Sequence, residues 1–363
     1  MVVVNYGDEI IKNTYDTLAA SDIGIYLKAD MAVALKPNLV VPCPASDGAT
    51  THPEVVEGVV LFLREFGVKN IKIIESSWVG DSTIRAFEYC GYNELSRRLN
   101  ISLTDLKSDS YKVYKSAGYD IAVCDEVMNT DFLINLPVLK AHCQTRLTCC
   151  LKNLKGCIPD KEKRRFHTLG IHKPVAALNA IIKTGYCVVD GICGDLSFEE
   201  GGNPVDSKRI IAGRDPVLID SYCSELIGYR PEEVEYIPHA AKLGVGELFS
   251  ESTKLLELNC DFKPKLDLKR DRLAEKYAAL IDEDAACSAC YSALVYALHR
   301  VGRSSSFLSR SKGKSASDNK IHIGQGFKGK SGTGLGIGNC TCGFSNFVPG
   351  CPPKATDIID VIR

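Results

Sequence analysis

The sequence predicts an α/β protein: a largely parallel sheet flanked by helices, followed by a small C-terminal α/β domain built around clustered cysteines. Three observations carry this. Short β-rich apolar runs alternate with helix-period segments over the first 260 residues, the pattern of a mostly parallel sheet. Polar residues recur where those strands give way to loops. Four cysteines in the last quarter are spaced like metal ligands.

The elements follow in order. Val33–Val40 reads as a strand and Pro53–Phe66 as a helix with Thr51 as its N-cap. Lys69–Glu75 reads as a strand and Thr83–Leu99 as one helix. Asp131–Leu139 is a strand, Val175–Lys183 a helix and Tyr186–Val189 a strand; the strand Arg209–Ala212 leads into the helix Pro216–Ile227. The polar, proline-containing stretch Asn259–Arg270 marks a boundary, giving domains 1–259 and 260–363. In the second domain Asp271–Ile281 reads as a connecting helix. Beyond it come a helix (Cys290–Val301), strands Lys320–Ile323 and Gly334–Ile337, and a helix (Ala355–Val361). The Ser- and Lys/Arg-rich segment Gly302–Asn319 reads as a mobile surface loop.

Composition excludes several classes. The chain is 45% hydrophobic and 25% charged, as expected of a globular protein. Its formal net charge of −1 offers no basic field for nucleic acid. No apolar run reaches the length of a membrane helix, and the N-terminus lacks the basic-then-apolar pattern of a signal peptide. Sixteen cysteines in a long chain without such a signal point to reduced thiols and metal in a reducing, anaerobic cytoplasm.

The cysteines carry the sharpest signal. Cys287 and Cys290 form a C-x-x-C pair before an apolar run, Cys340 follows the glycine-rich GTGLGIGN, and Cys351 sits in Gly-Cys-Pro-Pro. Thiolates hold iron–sulfur clusters, and four of them complete one. A single [4Fe–4S] cluster on Cys287, Cys290, Cys340 and Cys351 is the expectation, with Cys342 competing with Cys340. Zinc also takes four thiolates, but zinc ribbons usually supply two C-x-x-C pairs. Cys149 and Cys150 read as buried apolar fillers.

The strand-end residues of the first domain suggest a cleft. Ligands of open α/β sheets bind at the carboxyl ends of strands. Lys36, Asn38, Asn153, Lys155 and His167 are the candidate substrate-binding residues, and His52, His142, Lys152 and Asp190 the candidate catalytic ones. Lysines give such a cleft a positive field for carboxylate or phosphate, and histidines move protons near neutral pH. Lys36, Asn38, His52, His142, Lys152, Asn153 and Lys155 are expected to meet in one anion-binding pocket. No G-x-G-x-x-G follows the first strand, and G-x-x-x-x-G-K-[ST] and H-E-x-x-H are absent, so no nucleotide site is expected.

These stretches together resemble a known family. LKPNLV, TTHPEVVEGVV, INLPVLKAH, LKNLKGCIPD with His167 downstream, VVDGI with EGGNP, and RDPVLID are similar in order and spacing to the iron–sulfur-centre family known as domain of unknown function 362. The resemblance covers about residues 30–230, and CSAC, GNC and PGCPP resemble the cluster-binding extension of some members. It implies an α/β domain and a cluster but no agreed reaction. The ferredoxin-like C-x-x-C-x-x-C insert of many members is missing, which implies a single cluster. The layout is also similar to lactate-racemase-type enzymes, which bind a 2-hydroxy acid with His and Lys in an α/β cleft.

Three functions fit these residues: an iron–sulfur oxidoreductase acting on a small anionic substrate, fed by a redox partner such as a ferredoxin; a non-redox acid–base enzyme, an isomerase or lyase on a hydroxy or keto acid, with a structural cluster; and an electron or cluster/sulfur carrier. Neither nucleic acid nor membrane is an expected partner.

Overall fold

A computed structural model describes residues 1–264, 273–302 and 320–363. The chain divides into two compact units, Met1–Lys163 with His172–Arg270, and Arg164–Ile171 with Asp271–Arg363.

The first unit is built on an eight-stranded sheet. Its strands are β1 (Val2–Tyr6), β2 (Ala32–Pro37), β3 (Asn70–Glu75), β4 (Ser102–Asp105), β7 (Phe132–Leu136), β10 (Tyr186–Asp195), β11 (Pro204–Gly213) and β12 (Leu255–Leu258). Two short ladders, β5 (Tyr111–Ser116) with β6 (Tyr119–Cys124) and β8 (Lys140–His142) with β9 (Arg146–Thr148), lie outside it. The strand order is β12-β1-β11-β10-β7-β2-β3-β4, and β11 alone runs against its neighbours. The sheet is therefore largely parallel, as the alternating pattern predicts.

The central strands are apolar on both faces because helices cover both, so Val33, Leu35, Ile73, Ile134 and Val188 are buried. The helix Pro53–Glu65 turns Val55, Val56, Val59, Val60 and Leu63 inward, one stripe at helical spacing. Each such side chain contributes about 1.5–3 kcal/mol by leaving water.

Several boundaries differ from the sequence reading. His52, not Thr51, is the N-cap of that helix. Thr51 instead accepts from the Asn38 amide and donates to the Leu136 carbonyl, stitching two strand ends together. The stretch Thr83–Leu99 is two helices, Thr83–Tyr89 and Tyr92–Leu99, broken at Gly91 with φ 81°. β2 stops at Pro37, short of the expected Val40, and β10 runs on to Asp195 as the partner of β11.

The second unit contains a four-stranded parallel sheet in sequential order: β13 (Ile281–Glu283), β14 (Ile321–Ile323), β15 (Gly332–Ile337) and β16 (Phe344–Val348). The helices Ser288–Gly302 and Ala355–Ile362 pack on one another. The expected connecting helix is confined to Leu273–Tyr277 among the described residues, and Ile281 is already strand. The proposed loop Gly302–Asn319 lies outside the described residues after Gly302. Among the described residues no helix is long and apolar enough to cross a membrane.

Candidate functional site

Strands β2, β3, β7 and β10 run parallel, so the loops after β2, β3 and β7 and the far half of β10 share one edge of the sheet. The candidate residues of the first unit divide there into three adjacent networks.

The first is closed. Lys36 is 1% exposed, and its ammonium donates to Glu75 Oε2 at 2.8 Å, the Pro37 carbonyl at 2.7 Å and Asn153 Oδ1 at 3.2 Å. An ammonium has three protons, and all three have protein acceptors. Asn153 Nδ2 donates to Asn135 Oδ1, and Glu75 also accepts from the Leu39 and Ser76 amides. Lys36 and Asn153 therefore brace the strand ends, and no proton of Lys36 is left for a substrate. Asn38 likewise turns inward, its Oδ1 accepting from the Val40 amide.

The second network joins His52 to Asp190. The carboxylate accepts from both the His52 amide at 2.7 Å and the ring Nδ1 at 2.8 Å. On the other side of the ring, Cys193 Sγ stands 3.9 Å from Nε2 and donates to the Ala45 carbonyl. Burial disfavours the imidazolium, but the Asp190 carboxylate outweighs it, and His52 is pushed up to about 11. The folded value lies above the unfolded 6.5, so the stabilisation is complete below pH 6.5 and is lost as pH rises through 11. Urea midpoints should therefore fall from pH 6 to pH 10 by more than in Asp190→Asn. Parallel pH profiles of the two proteins would remove the pair from this role.

The third network is polar and cationic. Lys140 is buried and donates to the Ala49 and Glu199 carbonyls at 2.6 and 2.8 Å; burial pushes it down to about 8. His142 Nδ1 accepts from the Gln144 and Thr145 amides, which places the ring proton of the neutral form on Nε2. That nitrogen faces Glu199 Oε1 at 3.6 Å. Glu199 Oε2 accepts from the Cys143 amide, whereas among the described residues no hydrogen bond reaches Oε1. Glu200 is pushed up to about 7 by burial and by Glu199. Burial, and then the charge of Lys155, hold Lys152 well below the ordinary lysine range.

This group can hold an anion on Lys152 and Lys155 while a carboxylate and an imidazole stand ready for proton transfer. Lys152→Ala should weaken phosphate or small-carboxylate binding by about 1.5–3 kcal/mol, measured calorimetrically. In the unsubstituted protein that affinity should fall as pH rises through the depressed Lys152 value, because the neutral amine no longer attracts the anion. Equal, pH-independent affinity in both proteins would take Lys152 out of the site.

His142 thus faces Glu199, and Lys152 lies within electrostatic reach of Glu199 and Lys155. His52 stands between Asp190 and Cys193, whereas Lys36 and the Leu39 amide meet at Glu75, with Asn153 held on Lys36. The Lys140 bond to Ala49, three residues from His52, links the second and third networks. His167 lies in Arg164–Ile171, which groups with the second unit. Glu75, Lys140 and Glu199 lie in polar strand-end segments of the sequence but carry no assigned role there, and nothing in the sequence singles out Cys193.

In the second unit the cysteines occupy turns at the carboxyl end of the small sheet. Ile337 pairs with Val348, so Cys340 and Cys351 stand at equal offsets of three residues beyond neighbouring strands. The two turns are tied by hydrogen bonds from the Gly338 amide to Val348, from the Asn339 amide to Gly350, and from the Gly350 amide to Asn339 Oδ1. Cys287 directly precedes the helix Ser288–Gly302 and Cys290 lies in its first turn, where N–H groups favour thiolates. A Cβ on Gly338 would lie 3.9 Å from Cys290 Sγ, and this glycine has φ 86°, so it lets the Cys340 turn approach that helix. Gln325 Nε2 is 3.6 Å from Cys287 Sγ. None of the four is deeply buried, and they are thiols rather than disulfides. The donor set and its placement fit a cluster, and the strand register favours Cys340 over the exposed Cys342.

A further group lies in the core of the first unit. Cys149, Cys150 and Asp220 are fully buried, with one ligand atom from each within 4.8 Å of the others, a geometry able to hold a metal ion.

Comparison with known proteins agrees with the family part of the resemblance. The family model described as Domain of unknown function (DUF362) matches residues 33–225. A thylakoid-associated protein of Synechocystis sp. is 26% identical over 242 residues, 64% of this chain and 74% of the relative. Among solved structures, the lactate racemase apoprotein from Thermoanaerobacterium thermosaccharolyticum aligns with a TM-score of 0.44 at 10% identity over 62% of this chain. A structural-genomics protein from Thermotoga maritima aligns with a TM-score of 0.38 at 13% identity over 66%. The chain spans 56% and 60% of those two structures.

Proposed function

This chain belongs to the DUF362 family, and on that premise we propose that it is an iron–sulfur oxidoreductase acting on a small anionic substrate. The observation that carries this reading is the set of four cysteines on adjoining turns at one end of a parallel sheet. Cys287, Cys290, Cys340 and Cys351 would hold one [4Fe–4S] cluster, which when bound supplies one-electron chemistry. In the first unit Lys152 and Lys155 bind and orient the anion. His142 Nε2–H and Glu199 Oε1 hold or accept a proton beside it. A ferredoxin-type carrier is the matching electron source, and the thiol state of the described cysteines accords with a reducing cytoplasm.

One observation favours a second reading. Glu199 Oε1 is a buried acceptor with no hydrogen bond among the described residues, next to a histidine and within electrostatic reach of Lys152. A substrate hydroxyl donating to it, with its carboxylate on Lys152, would make the site one for non-redox acid–base chemistry on a hydroxy acid, and the cluster a structural element. Electron paramagnetic resonance on anaerobically purified protein, before and after dithionite, separates the two. A signal that appears on reduction supports the oxidoreductase. A cluster that resists reduction supports the acid–base enzyme, and iron-free protein contradicts both.

A further inference from the structure

We infer that Cys149, Cys150 and Asp220 form a buried structural site for a thiophilic divalent cation of the zinc class. The site is separate from the C-terminal cysteines and does not rest on the proposed reaction. Cys149 and Cys150 begin the short helix Cys150–Asn153 after β9. Asp220 lies on the helix Pro216–Leu226. Cys149 Sγ and Cys150 Sγ are 3.9 Å apart. Thiolates about 2.3 Å from a tetrahedral zinc lie about 3.8 Å from each other, so the observed separation is that of two zinc ligands. It is far from the ~2.05 Å of a disulfide. Asp220 offers an oxygen within 4.8 Å of both sulfurs.

The second observation concerns charge. Asp220 is fully buried, and its oxygens accept from the Cys150 and Leu151 amides at 2.7 and 3.1 Å. Those donors are neutral, and among the described residues no Lys, Arg or His forms an ion pair with this carboxylate. A buried carboxylate without a positive partner is costly. A divalent ion between the thiolates and a second lone pair of Asp220 would supply that charge. Complete burial is the usual condition of a closed, structural zinc site.

The test uses the full-length chain with Cys340→Ser and Cys351→Ser, so that the C-terminal ligands do not contribute, expressed with added zinc. After dialysis against a mild chelator, elemental mass spectrometry should find about one zinc per chain. Adding Asp220→Asn, or Cys149→Ser with Cys150→Ser, should lower that content at least tenfold. X-ray absorption at the zinc edge, which needs no further variant, should show a mixed sulfur and oxygen shell. A cooperatively melting chain with only trace zinc would overturn the inference. So would zinc retained undiminished in both added variants, or a shell without sulfur; Asp220 would then be a protonated cap on the Cys150 turn.

Discussion

Cys340→Ser or Cys351→Ser should strip most of the iron from anaerobically purified protein, and Cys287→Ser or Cys290→Ser should do the same. A serine hydroxyl is a poor substitute for a thiolate, and three remaining thiolates leave one iron of a cubane without its protein ligand. Cys342→Ser should be the mild member of the series. The register explains the asymmetry: Cys340 and Cys351 share an offset beyond paired strands, whereas Cys342 lies two residues further on. Iron content of the five variants, measured side by side, checks this. Equal loss at Cys342 and Cys340 would mean that the tied turns do not select the ligand.

The second large effect is on stability. Lys36 and Glu75 form an ion pair with 1% and 3% side-chain exposure. Removing one partner of a buried pair leaves the other charged and uncompensated, which costs about 3–5 kcal/mol. Domains are stable by only about 5–15 kcal/mol, so Lys36→Ala should fold poorly or unfold at much lower denaturant. Gly156→Ala should be nearly as severe, because a Cβ there would stand 2.2 Å from Glu75 Oε1 and 2.6 Å from Lys36 Nζ. Lys12→Ala, which breaks the exposed pair with Asp16, is the control and should change little. Denaturation midpoints rank the three. A Lys36→Ala protein as stable as Lys12→Ala would show that the pair does not brace the sheet edge.

That pair also shows where the sequence is legible and where it is not. Apolar runs such as Val33–Leu35 and Ile71–Ile74 have to be strands covered on both faces, and the parallel sheet follows from their alternation with helices. The strand-end position of Lys36 was legible too. Its role was not, because its partner lies 39 residues away and a lysine beside a carboxylate looks from sequence like any free cation. Glu199 is a similar case: it meets His142 across 57 residues only because the segment between β10 and β11 folds back toward β8. The split of Thr83–Leu99 rests on one glycine with positive φ, which periodicity averages over. In the second unit, β14 and β15 were legible, but β13 is only three residues long and β16 carries polar Ser345 and Asn346 at its centre, so the sheet that lines up Cys340 with Cys351 was only half visible. The cysteine spacing pointed to a common site without it, since a C-x-x-C pair at a helix start is a local signal.

The central claim is that these four cysteines hold an iron–sulfur cluster. Iron and acid-labile sulfide analysis of the full-length, unsubstituted chain, purified without oxygen, tests it most directly. The account predicts brown protein with about four irons and four sulfides per chain. Colourless protein without sulfide, or zinc at Cys287, Cys290, Cys340 and Cys351 in place of iron, would contradict it.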